Sequence, residues 1–144
     1  MAMPGSVIAL KDDAVAVKML VAGLELLAKD RSLVTQEPAE VAKTLGLDDE
    51  RFRLSKRSSG GTQVAIDIWP RRTRIGAEAV IEALGLKGEI SHRRATDSDD
   101  YLLYRGKKGT HEWKSLTVEP SFDNRDGRPG KGYGAYVLDG ITVR

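Results

Sequence analysis

A chain of 144 residues with 40% hydrophobic and 31% charged side chains suits one compact domain and is too apolar for general disorder. It has no cysteine and only 2 histidines, which excludes disulfide staples and thiolate metal sites and leaves too few ligands for a His-rich one. The net charge is +2, yet residues 1–50 hold 5 Lys/Arg against 9 Asp/Glu, residues 51–114 hold 14 against 8, and residues 115–144 hold 4 of each. A basic middle is what an anion-binding surface requires, although solvated arginine-bearing loops produce the same count.

The opening MAMPGSVIAL lacks the basic start and continuous apolar run of a signal peptide. The longest apolar stretch, residues 19–27, is interrupted by Gly23 and Glu25 and falls short of a bilayer span. A cytoplasmic protein with no membrane partner is the expectation.

Residues 12–29 predict the first helix, with Asp12 or Asp13 accepting bonds from the free N–H groups of its first turn. Val17, Leu20, Val21, Leu24 and Leu27 share one face, but Val15, Met19, Ala22 and Leu26 are apolar too. So broad a stripe belongs either at the centre of a core or in a subunit interface. Thr35 reads as the N-cap of a second helix over residues 36–45, with Pro38 tolerated in its first turn and Gly46 ending it. Residues 49–57, DERFRLSKR, predict a third short helix. After Gly60-Gly61, residues 62–69 alternate as a strand with Val64, Ile66 and Ile68 on one face, closed by Pro70.

Residues 75–86 predict another helix ending in Leu-Gly-Leu, as residues 45–47 do. EVAKTLGLDDE (40–50) and AVIEALGLKGE (79–89) share apolar spacing and a following glutamate, as a worn duplication or a recurrent glycine stop would. Strands are expected at residues 101–105, 112–118 and 133–138, with Asp139-Gly140 as a hairpin turn before residues 141–144. Residues 120–132, PSFDNRDGRPGKG, read as a long polar loop. The whole predicts an α+β fold: N-terminal helices followed by a mostly antiparallel sheet with one further helix. One domain over residues 1–144 is expected, divisible into a helical sub-module, 1–70, and a β-rich one, 71–144.

VAKTLGLDDERFRLSKR, residues 41–57, resembles a helix-turn-helix. Ala42 is small where two helices would cross, Gly46 permits the turn, and Leu45, Leu47 and Phe52 are anchors. The resemblance implies duplex DNA as partner, with Arg51, Arg53, Lys56 and Arg57 on or beside a recognition helix and the next strand as a wing. Arg71, Arg72 and Arg74 complete the basic set, at the far end of that strand. Asp48, Asp49 and Glu50 suit the helix dipole but oppose phosphate. A plain helical corner would carry the same leucines.

DYLLYRGKKGTHEWK, residues 100–114, resembles the PD-(D/E)xK nuclease core. That resemblance implies Asp100 and Glu112 holding Mg²⁺ and Lys114 orienting water or stabilising charge. A surface hairpin has the same pattern. GRPGKGYG, residues 127–134, lacks the hydroxyl residue after Lys131 that a P-loop needs, and residues 123–127 break the register of a calcium loop. No catalytic residue, metal site or cofactor is assigned. Three functions remain in order: nucleic-acid binding, a non-enzymatic assembly subunit oligomerising through helix 12–29, and a small Mg-dependent nuclease.

Overall fold

A computed structural model describes residues 13–47, 50–59, 63–86, 91–94, 101–104, 110–123 and 136–144. Helix α1, Ala14–Lys29, begins where Asp13 Oδ1 accepts the Ala16 N–H at 3.0 Å. Its fully buried positions are Ala16, Leu20, Gly23, Leu24 and Leu27; Val17 and Met19 pack at the margin of the core. The expected stripe is therefore too broad on one side, and Val15 and Leu26 face outward. Gly23 is buried because α2 crosses here: a Cβ would meet Leu45 and Leu47 at 3.4–3.5 Å.

A short 3-10 helix, Arg31–Thr35, follows. Thr35 is its last residue rather than the next N-cap, and its hydroxyl donates to the Ser32 carbonyl at 2.7 Å. Helix α2, Pro38–Leu45, starts at proline, whose missing N–H would be unsatisfied there in any case, and stops at Gly46 with φ 72°.

The segment expected as a third helix is a strand. Strand β1, Phe52–Ser59, pairs antiparallel along its whole length with β2, Gln63–Pro70, from Phe52 opposite Pro70 to Ser59 opposite Gln63. Phe52 and Leu54 join Ile66 and Ile68 on the core side, while Arg53, Ser55 and Arg57 alternate to the other. Two alternating runs flanking Gly-Gly favour a hairpin once their apolar faces coincide. The helix-turn-helix is thereby excluded, since no recognition helix follows the turn after α2.

Helix α3, Ala77–Ala83, ends in the same manner as α2, with Gly85 at φ 67°. The Leu47 and Leu86 N–H groups reach back to the carbonyls of Ala42 and Ile81, at 2.9 and 2.8 Å. Each Leu-Gly-Leu stop then leads into an antiparallel ladder, β1–β2 after the first and β3–β4 (Ser91–Arg94, Tyr101–Tyr104) after the second. The echo in the sequence is thus an echo in structure.

The expected strand over residues 112–118 is two strands, β5 (His111–Trp113) and β6 (Leu116–Asp123), folded at Lys114 with φ 54°. Strand β7, Val137–Val143, runs straight through the expected Asp139-Gly140 turn, with a register shift facing it at Ser121/Phe122. The glycine answers a close approach instead, because the Trp69 indole occupies the space a Cβ would fill. Of the long polar loop, residues 120–123 belong to β6, and 124–132 lie outside the described residues.

The fold is α+β, as expected. Five strands form an antiparallel sheet in the order β1-β2-β7-β6-β5, and β3–β4 make a separate two-stranded sheet. Ile66, Ile68, Val118, Ile141 and Val143 carry the core on one sheet face, beneath α1, α2 and α3. The opposite face carries the polar residues of the same strands.

Asp13 ties three parts together. Beyond the cap bond, its Oδ2 accepts from Thr73 Oγ1 at 2.8 Å and Arg51 Nε at 3.1 Å, and its own N–H donates to the Arg74 carbonyl at 2.7 Å. The Ala16 N–H first, then Thr73 and Arg51, hold its carboxyl below the ordinary aspartate value. A depressed folded-state value contributes stability that is fully present above about pH 4 and lost as pH falls through it. Asp13→Ala should cost about 1–2 kcal/mol at pH 7, and the gap to wild type should narrow as the pH falls below about 4. Denaturant melts across that range measure both.

Candidate nucleic-acid interface

The hairpin register decides where the basic residues go. Read along one strand, residues 51–57 and 71–74 lie at opposite ends; paired, the two clusters meet. The Arg71 N–H donates to the Arg51 carbonyl at 2.7 Å, just beyond the Phe52–Pro70 pair. One end of the hairpin therefore gathers Arg51, Arg53, Arg71, Arg72 and Arg74.

Several of these cations hold the fold. Arg51 binds Asp13, and Lys56 Nζ, on the opposite sheet face from Arg53, donates to the Thr35 carbonyl at 2.6 Å. Arg57 donates through Nε to Asp67 Oδ2 at 3.0 Å. Arg74 is half-buried, and its carbonyl takes the Asp13 N–H. Arg53 remains on the open face, opposite Trp69 in the ladder, while Arg71 and Arg72 are exposed beyond the strand end, Arg72 at φ 53°.

Two hollows flank Trp69. A groove of about 1070 Å³ lies between the first turns of α2 and the ends of β1 and β2. Pro38, Ala39, Phe52 and Trp69 give it apolar walls; among the described residues its charged lining is Arg53 and Arg71, with no carboxylate. The second, about 340 Å³, crosses the sheet and sets Arg57 against Asp67, Glu119 and Asp139. The open face is thus polarised, basic at the β1 edge and acidic over β6 and β7.

Asp67 is buried, with 9% of its side chain exposed, and its charge is satisfied by Arg57 and by the Thr142 hydroxyl, which donates at 2.5 Å. It holds β1, β2 and β7 together from the polar side. Trp69 stands beside it against Gly140, where a Cβ would come within 2.6 Å of the indole Cδ1. The sequence gives Trp69 no role beyond ending a strand, and it gives Gly140 only that of a turn. The available signal was the alternation itself, which places Trp69 on the face opposite Val64, Ile66 and Ile68.

Of the residues of the nuclease resemblance, two are described, Glu112 and Lys114. Glu112 sits opposite Thr117 on the short edge strand β5. Lys114 occupies the turn, 3.7 Å from Glu25 and 5.1 Å above the Trp113 ring. Asp100 lies outside the described residues. Among those residues no three His, Asp or Glu side chains cluster to hold a metal, and no helix is long and apolar enough to cross a membrane.

Removing the buried carboxylate should cost more than removing its exposed partner. Asp67→Ala strands the Thr142 hydroxyl and should destabilise by about 1–3 kcal/mol. Arg57, 62% exposed at its side chain, should cost no more than about 1 kcal/mol when changed to alanine. Urea melts of the two variants give the comparison. The chain matches no family model, no curated protein and no solved structure.

Proposed function

We propose that the protein binds nucleic acid at the basic end of the β1–β2 hairpin. The observation that carries this reading is the groove beside α2, whose charged lining among the described residues is Arg53 and Arg71. Guanidinium forks match phosphate oxygens in pairs, and two of them on one groove suit the backbone of a nucleic acid. Arg72, next in the chain and exposed, extends the same patch. The recognition element is then the hairpin end rather than a helix, and affinity arises chiefly from counterion release.

A fluorescence-anisotropy titration with labelled oligonucleotides should show binding that weakens steeply between about 50 and 200 mM salt. Arg53→Ala with Arg71→Ala should weaken it and flatten the log–log salt slope by about one per arginine. Arg57→Ala should change affinity little, because Arg57 belongs to the acidic hollow. Absence of any binding at low salt removes the proposal.

A second reading, self-association, is favoured by one observation. Among the described residues the exposed large hydrophobics are Val15 and Leu26, at 54% and 42%, and both lie on one stripe of α1 together with exposed Ala22. Leu26→Glu should shift a dimer to monomer in light scattering with the melting temperature unchanged. The wholly buried Leu24 is unsuited to that test, since a charge there would unfold the core. A monomeric wild type would end this reading.

A further inference from the structure

We infer that the nucleic acid taken by this groove is single-stranded, with one base stacked on Trp69 and Gly140 positioning the indole. The inference rests on the nucleic-acid reading above and adds the strandedness of the ligand and the residue that selects it.

The core does not account for Trp69. The chain has 2 tryptophans, and Trp113 is the one packed against the core cluster, with Lys114 over its ring. Trp69 lies on the other sheet face, half-buried, at the wall shared by the basic groove and the acidic hollow. Its cross-strand neighbour is Arg53. An aromatic face beside a guanidinium is the pairing that holds single strands: a base on the ring, its phosphate on the fork.

The ring is also held in place. A Cβ on Gly140 would approach indole Cδ1 to 2.6 Å and Nε1 to 3.0 Å. Gly140 is not among the positive-φ glycines, so the demand is for space rather than for backbone freedom. Glycine inside a strand sacrifices stability, and here it lets the indole lie flush on β7. A ring already fixed loses little freedom when a base docks.

Size and charge both argue against a duplex. The faces of a paired base are covered by its neighbours in the stack, so a tryptophan in a groove wall reaches only an unstacked one. At about 1070 Å³ the groove is on the scale of a pocket for a single small ligand, suited to a few extended nucleotides. A wider polyanion would extend past Trp69 onto Asp67, Glu119 and Asp139. The strand should therefore run along the β1 edge, and stacking should make it tolerant of sequence.

The test uses the full chain carrying Trp113→Phe, so that Trp69 alone reports. The probes are an oligothymidylate of about a dozen nucleotides and a mixed-sequence hairpin duplex of similar length, at about 50 mM salt. The single strand should quench Trp69 fluorescence to saturation and bind about tenfold or more tighter than the duplex. Trp69→Leu, followed by anisotropy, should weaken single-strand binding about tenfold with the salt slope retained, and Trp69→Phe should restore most of it. Gly140→Ala should weaken binding in the same direction without removing a charge. Circular-dichroism melts verify each fold, and Trp69→Leu carries the test if Gly140→Ala proves unstable. Equal or tighter duplex binding, or single-strand binding without quenching and indifferent to Trp69→Leu, overturns the stacking inference while nucleic-acid binding stands. No binding of either probe overturns both.

Discussion

The register of the β1–β2 ladder is the constraint on which the rest of the molecule depends. Phe52 opposite Pro70 sets Leu54 beside Ile68 and leaves Arg53 beside Trp69. Because side chains alternate with period two, a slip of one residue in β1 would bury Arg53 and Arg57 and expose Phe52. Burial of Phe52 against α2, together with the core faces of β2 and β7, holds the register against that slip. On the polar side Asp67 does comparable work, tying Arg57 of β1 to Thr142 of β7 through one carboxylate.

That register sorts the arginines into two kinds. Some are consumed by carboxylates that organise the fold: Arg51 by Asp13 at the start of α1, Arg57 by Asp67 on the sheet. Others, Arg53 and Arg71, line the groove beside α2. A count of basic residues along the chain treats these alike, and only the pairing distinguishes a structural cation from one available to a ligand. On the other side of Trp69 the second hollow carries Asp67, Glu119 and Asp139, so the two sides of the indole differ in charge.

The two Leu-Gly-Leu stops show how local chemistry and long-range packing combine. Each glycine adopts the left-handed conformation that ends its helix, and each second leucine turns back into the core. The stop positions the chain to start a new strand. The first strand so started, β1, joins the main sheet, and the second, β3, forms a separate pair with β4.

Helix α1 with its Asp13 cap, the glycine stops at 46 and 85, the alternating core face of β2 and the α+β class were determined by the sequence itself. Those features follow from contacts within a few residues: a side chain bonding its own first turn, a positive φ that glycine tolerates, a period that matches one element. Tertiary structure decided that residues 52–59 extend rather than coil, since a short charged segment with two apolar positions takes the form its partner strand demands. It also decided that Asp139-Gly140 continues a strand, because the reason for that glycine is an indole on β2 and not the shape of a turn. The basic groove belongs to the same class. Its arginines were visible in the sequence, but their meeting required a hairpin, and a count along the chain does not show that Asp13 and Asp67 hold two of the others.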